Sequence, residues 1–153
     1  MPAVISVVAL AAWLGAAALV AAVVAPAAFA ELPSRALAGA VVGRVLPVIF
    51  WCGMLVGASV AVVLHTFPSR PVLGMASLGM ALASAVAQLG IAPRIAALRA
   101  AAGAIDALDP ADPRRVAFGR LHAASVACMG VAAVCAGVVL VLLVRSLSAR
   151  SLP

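Results

Sequence analysis

The stretch LPVIFWCGMLVGASVAVVLHTFPSRPVLGMASLGMALASAVAQLGI, residues 46–91, decides the fold, because it joins two long apolar runs and holds a single charged residue, Arg70. Leu46–Leu64 and Val72–Ile91 carry no charge. Each is about 20 residues long, which is what a helix rising 1.5 Å per residue needs to cross a hydrocarbon core about 30 Å thick. Between them, His65–Pro71 (HTFPSRP) has room only for a tight turn rich in breakers. The two runs therefore pair as an antiparallel helical hairpin. Barrel strands are excluded, since those alternate apolar and polar over about ten residues and these runs are continuously apolar.

Outward from the hairpin, Val4–Val24 and Leu121–Val144 have the same character. The expected fold is an all-α integral membrane four-helix bundle with antiparallel neighbours, one transmembrane domain over residues 1–153, and both termini on the same side. Composition agrees: 67% of residues are hydrophobic and 9% charged, with mean hydropathy +1.30, against about 45–50% and about 25% in soluble domains. The Ala28-Phe29-Ala30 sequence resembles a signal-peptidase site. No Lys or Arg precedes it, however, and its apolar run exceeds the usual length of about 7–15 residues, so the segment reads as a retained helix.

The net charge of +6 comes from Arg alone. With no aromatic residues interleaved among the basic ones, head groups of anionic lipid are the expected partner and nucleic acid is not. Arg70, Arg145 and Arg150 fall on the side of the termini. Arg35, Arg44, Arg94, Arg99, Arg114, Arg115 and Arg120 fall on the other, with the acids Glu31, Asp106, Asp109 and Asp112. Basic residues mark the cytoplasmic side, so the expectation is a multi-pass membrane protein with its two larger loops in the cytoplasm and its termini outside; the inner membrane of a bacterium is what the family resemblance given below implies. Within the inner loop, residues 92–120, PRIAALRAAAGAID should be helical, either as a continuation of the third helix past Pro93 or lying on the head groups. Asp112 followed by Pro113 marks the start of the last helix, about two turns before lipid. Ser34 is placed to cap the helix leading into the second span.

Small residues recur at four-residue spacing at Gly39/Gly43, Gly53/Gly57, Gly79/Ala83 and Ala133/Gly137. Lipid tails are as apolar as leucine, so close approach through such residues is the expected source of helix packing. Trp13 and Trp51 are expected between helices. Of the polar residues in the spans, Gln88, His122 and Ser125 lie at similar depth near the inner end, and a hydrogen bond across the third and fourth helices is expected. His65 and His122 fall at opposite ends of their spans, too far apart to share a haem or metal. Cys128, Met129 and Cys135 have the softness for Cu(I) but read as apolar packers, so no metal is expected. No nucleophile–base pair, paired carboxylates, phosphate loop or zinc spacing is present, and an enzyme is not expected.

Three segments, APAAFAELPSRALAGAVVGRVLP (25–47), QLGIAPRIAALR (88–99) and FGRLHAASVACM (118–129), together resemble an uncharacterised bacterial membrane family related to eukaryotic transmembrane protein 205. The resemblance implies four helices and no established activity. It matches the family pattern at Pro26, Phe29, Gly39, Gly43, Pro93, Phe118, His122 and Ser125, and departs from it at Met129, where the family often has Asn.

The functional expectation is a non-enzymatic accessory or binding subunit that associates with other membrane proteins, or with itself, through small-residue faces. The alternative is a small carrier or permease for a solute or metal ion. A weaker alternative is a haem or chlorin held by one histidine. The expected binding cluster is Pro26, Phe29, Gln88, His122 and Ser125.

Overall fold

The computed structural model describes residues 1–65 and 71–149. Residues 66–70 of the HTFPSRP turn, Arg70 among them, Arg150 and the side chain of His65 lie outside the described residues. Among those described there is no strand, and four helices are long and apolar enough to cross a membrane: α1 (Pro2–Glu31), α2 (Arg35–His65), α3 (Pro71–Ala102) and α4 (Pro113–Ser148). This is the expected multi-pass helical protein. Each helix packs on the next, α4 closes the ring against α1, and the diagonal pair α2 and α4 barely meets. Neighbours are antiparallel, because Gly53 and Gly57 of α2 meet Ser84 and Ala81 of α3 in reverse order. The start of α1 and the end of α4 therefore lie at one end of the bundle, beside the end of α2.

Only 22–33% of each span's apolar window is buried, and large apolar side chains such as Met75 (72% exposed), Val62 (70%) and Val134 (67%) point outward. In water such a surface would aggregate; in lipid it is the solvated face. The helices are longer than the spans read from sequence. α3 has 32 residues and α4 has 36, roughly 48 and 54 Å at the helical rise, so both overrun the membrane core. Of the two readings of the inner loop, continuation holds: α3 runs past Pro93 to Ala102. Gly103, the only positive-φ residue among those described, then ends it (φ 66°), its N–H bonded to the Arg99 carbonyl. The caps fall where expected. The Leu37 N–H reaches Ser34 Oγ at 3.2 Å, and the Arg114 N–H reaches Asp112 Oδ1 at 2.8 Å.

The core occupies the half of the bundle near the termini. Leu10, Trp13, Ala17 and Val20 of α1 meet Ile49, Val60 and Leu64 of α2, Leu73 and Met80 of α3, and Ala132, Ala136, Val139 and Leu143 of α4. Trp13 is an interior residue, as expected, and its indole N–H donates to the Ile49 carbonyl at 2.9 Å. Trp51 is not: it is 44% exposed on the lipid face. A β-carbon at Gly57 would stand 2.8 Å from the Ala81 nitrogen and 2.9 Å from the Ser77 oxygen, and one at Gly53 would stand 2.6 Å from Ser84 Oγ and 2.9 Å from Trp13 Nε1. At Gly79 the neighbour is Cys135 Sγ at 3.1 Å, whereas at Gly137 nothing lies within 4 Å.

Towards the other end the packing opens. The Ala25–Glu31 turns of α1 and the Ala92–Ala102 turns of α3 contain no buried residue. Both follow a π-helical turn, Val20–Val24 and Val86–Ile91, and each π turn leads directly into a proline. A proline has no N–H for the carbonyl four residues back. The residue before it takes up the wider register instead: the Ala25 N–H bonds the Val20 carbonyl, and the Ala92 N–H bonds the Ala87 carbonyl. One extra residue per turn rotates whatever follows by about 100°. Phe29, Ile95 and Arg99 all lie beyond these turns.

Candidate functional site

Where the core stops, the four helices enclose a cavity of about 250 Å³. Its walls are helical stripes. α3 supplies Gln88, Ala92, Ile95 and Arg99, α4 supplies Phe118, His122 and Ser125, and α1 supplies Phe29. α2 supplies Gly39, Val42, Gly43, Leu46, Pro47 and Phe50, and Arg35 and Asp106 border the mouth. Four of the five residues expected to cluster, Phe29, Gln88, His122 and Ser125, face this one space. Pro26 does not; it is exposed, and its effect is on the path of α1.

The expected hydrogen bond across the third and fourth helices is not made. Gln88 Oε1 is buried without a hydrogen-bond partner, and no bond joins Gln88 to His122 or Ser125. His122 stacks instead on Phe118, one turn earlier on α4, with ring centroids 6.2 Å apart and planes 6° from parallel. Ser84 Oγ, one turn deeper on α3, is also buried and unpartnered. It does not line the cavity; it sits in the packed half against Gly53, beside Trp13.

Arg99 was not foreseen as a site residue. Cα–Cβ bonds tilt towards a helix's N-terminus, which aims Arg99 back into the bundle from the end of α3. Its Nη1 donates to the Gly39 carbonyl at 3.0 Å, and its guanidinium carbon lies 5.3 Å from the centroid of Phe118, a cation–π distance. Gly39 and Gly43 make this berth. A β-carbon at Gly39 would stand 3.0 Å from Nη2, and one at Gly43 3.0 Å from Nη1. Read from spacing as a helix–helix contact, this glycine pair receives an arginine side chain instead. Arg99 makes no ion pair among the described residues, although Asp106 borders the same mouth.

The ion pair present among the described residues is Arg114 Nη2 with Asp112 at 2.8 Å, outside the spans at the start of α4. The Arg114 hydrogen bonds hold the Asp112 carboxyl down to about 2 from its ordinary 3.8. The sulfur residues do not converge. Cys135 packs on Gly79, Met129 lies against the core, and no group of three or more His, Cys, Asp or Glu side chains comes together among the described residues.

A lipid-facing helical ring, packed at one end and hollow at the other, defines a multi-pass membrane protein with an internal cavity. The chain belongs to the family described as a domain of unknown function (DUF4149), whose sequence profile matches residues 8–104. That match takes in the cavity walls from α1, α2 and α3, and the α4 wall of Phe118, His122 and Ser125 lies beyond it. Comparison with curated proteins and with solved structures finds no match.

Proposed function

We propose that this chain is a non-enzymatic protein of a bacterial cytoplasmic membrane, related to eukaryotic transmembrane protein 205, that binds a small molecule in the cavity at its Arg-rich end. One observation carries the reading. Gln88 lines a space of about 250 Å³, and its Oε1 is buried beside that space with no donor. An unpaired buried acceptor costs roughly 1–3 kcal/mol, and a bound molecule that donates to it recovers that cost. Binding is favoured over passage because the terminal half of the bundle is packed, with Leu10, Met80 and Val139 fully buried. His122, stacked on Phe118, gives no particular support to a single-histidine haem or chlorin.

The accessory-subunit reading comes second. The closest glycine approaches, at Gly53 and Gly57, lie inside the bundle and are not available to a partner. What favours it is α4, where Gly130 and Gly137 have no neighbour within 4 Å.

Native mass spectrometry of protein extracted from its own membranes in mild detergent tests both. The cavity reading expects a small non-protein mass that is lost in Gln88→Leu, while that variant's midpoint of thermal unfolding rises because an unpaired polar group has gone. Copurifying subunits with no small mass would favour the accessory role. A Gln88→Leu variant that keeps the bound mass and gains no stability would overturn the cavity reading.

A further inference from the structure

We propose that the cavity's ligand is a membrane-dissolved amphiphile with one apolar chain, an anionic head and a hydroxyl or N–H donor in its neck, that it enters sideways from the lipid between the end of α1 and α4, and that Arg99 binds its charge. This rests on the reading of the cavity as a binding site.

The charge argument begins with what Arg99 touches. Its partners are a neutral carbonyl and the face of Phe118, whereas a carboxylate or phosphate offers a full opposite charge and two parallel hydrogen bonds to the guanidinium fork. A carboxylate or phosphate therefore competes well for a guanidinium that no acid already holds. Arg35 at the same mouth adds a second positive charge, which with Arg99 outnumbers the one carboxylate there, Asp106. Both arginines stand at the end where the helices overrun the core, the depth of lipid head groups.

The route follows from packing. The Ala25–Glu31 segment packs against α2 and has no buried residue. Phe29, which lines the cavity, is 47% exposed, and His122 across from it on α4 is exposed too. The wall between α1 and α4 is thus open towards lipid at this depth. Inside, the surface grades from Arg35 and Arg99 at the mouth to Leu46, Pro47 and Phe50 deeper along α2. At about 30 Å³ per water, a cavity of about 250 Å³ holds the equivalent of about eight waters. That accommodates a head and the first few carbons, with the rest of a chain left in the bilayer. Below Arg99 on the same face of α3, the unpartnered Gln88 Oε1 calls for a donor, which a glycerol hydroxyl supplies.

The test is a titration of the full chain in nanodiscs by native mass spectrometry with three probes: 1-oleoylglycerol phosphate, neutral 1-oleoylglycerol, and soluble glycerol phosphate. The expected result is that the acylated phosphate binds at least tenfold tighter than the neutral lipid, that glycerol phosphate does not bind, and that Arg99→Gln brings the two lipids to equal affinity. Equal affinity of both lipids for the native chain overturns the charge assignment while leaving the cavity reading intact, and so does an Arg99→Gln variant that keeps the tenfold ratio. If Arg99→Gln does not fold, the native chain's head-group preference decides alone. Glycerol phosphate binding as tightly as its acylated form overturns lipid access. No binding of any probe by a protein that copurifies with another small molecule overturns this inference alone. The same result without a copurifying mass overturns both readings.

Discussion

Gly57 and Gly137 are chemically identical and sit in similar small-residue patterns, yet substitution should act on them in opposite directions. A methyl group at Gly57 would meet the α3 backbone at 2.8–2.9 Å, and at Gly137 it would meet nothing within 4 Å. Backbone cannot rotate away as a side chain can, so overpacking there should cost about 1–3 kcal/mol, outweighing the gain of up to about 1 kcal/mol from replacing glycine by alanine in a helix. Gly57→Ala should lower the midpoint of thermal unfolding in detergent, Gly57→Leu should prevent assembly, and Gly137→Ala should hold or raise the midpoint. A Gly57→Ala variant as stable as the parent would remove close backbone approach as what holds α2 to α3. Spacing was enough to flag Gly53 and Gly57, but it says nothing about which face of a helix meets what. Gly39 and Gly43 carry the same signature and receive Arg99. Gln88, His122 and Ser125 were legible because polar residues are rare in the spans. Arg99 was not, because outside a span an arginine is unremarkable.

At the scale of elements, the start of α4 was the clearest boundary in the sequence, since Asp112 and Pro113 satisfy the cap and first-turn preferences together. Its electrostatics give a pH dependence. The Asp112 carboxyl titrates at about 2 in the fold against an ordinary 3.8, so the depressed value means the ionised form is the one stabilised. That contribution is complete above about pH 4 and is lost as pH falls through about 2. The pair is exposed and screened, so the expected change is fraying of the first turn of α4, not unfolding. Protection of the Arg114 amide, taken against its intrinsic exchange rate at each pH, should fall across that window in the native chain, and Asp112→Ala should be unprotected throughout. A protection factor that is the same at pH 4 and pH 2 would dismiss the cap. The prolines at 26 and 93 were equally visible, but not how each helix accommodates them. A kink, a break and a π turn all remedy a missing N–H, and only packing chooses. Gln88, Ala92, Ile95 and Arg99 keep the i, i+4, i+7, i+11 spacing of an ordinary helix, so nothing in their pattern announces the π turn.

For the whole molecule, the unequal distribution of arginine and the asymmetric packing describe the same axis. The end that holds the cavity also holds Arg35, Arg44, Arg94, Arg99, Arg114, Arg115 and Arg120, against Arg145 at the other end among the described residues. Arginine near span ends sets orientation largely irrespective of acids. The proposed topology therefore turns the cavity to the cytoplasm and makes the inner leaflet the source of any lipid ligand. Ala104, exposed between α3 and α4, reports this directly. In a background with Cys52, Cys128 and Cys135 changed to alanine, Ala104→Cys should resist a membrane-impermeant maleimide in intact cells and react fully once the membranes are opened. Labelling in intact cells would invert the bundle. The cavity and Arg99 would then face the opposite leaflet, and the lipid-binding proposal would have to draw on an externally supplied amphiphile.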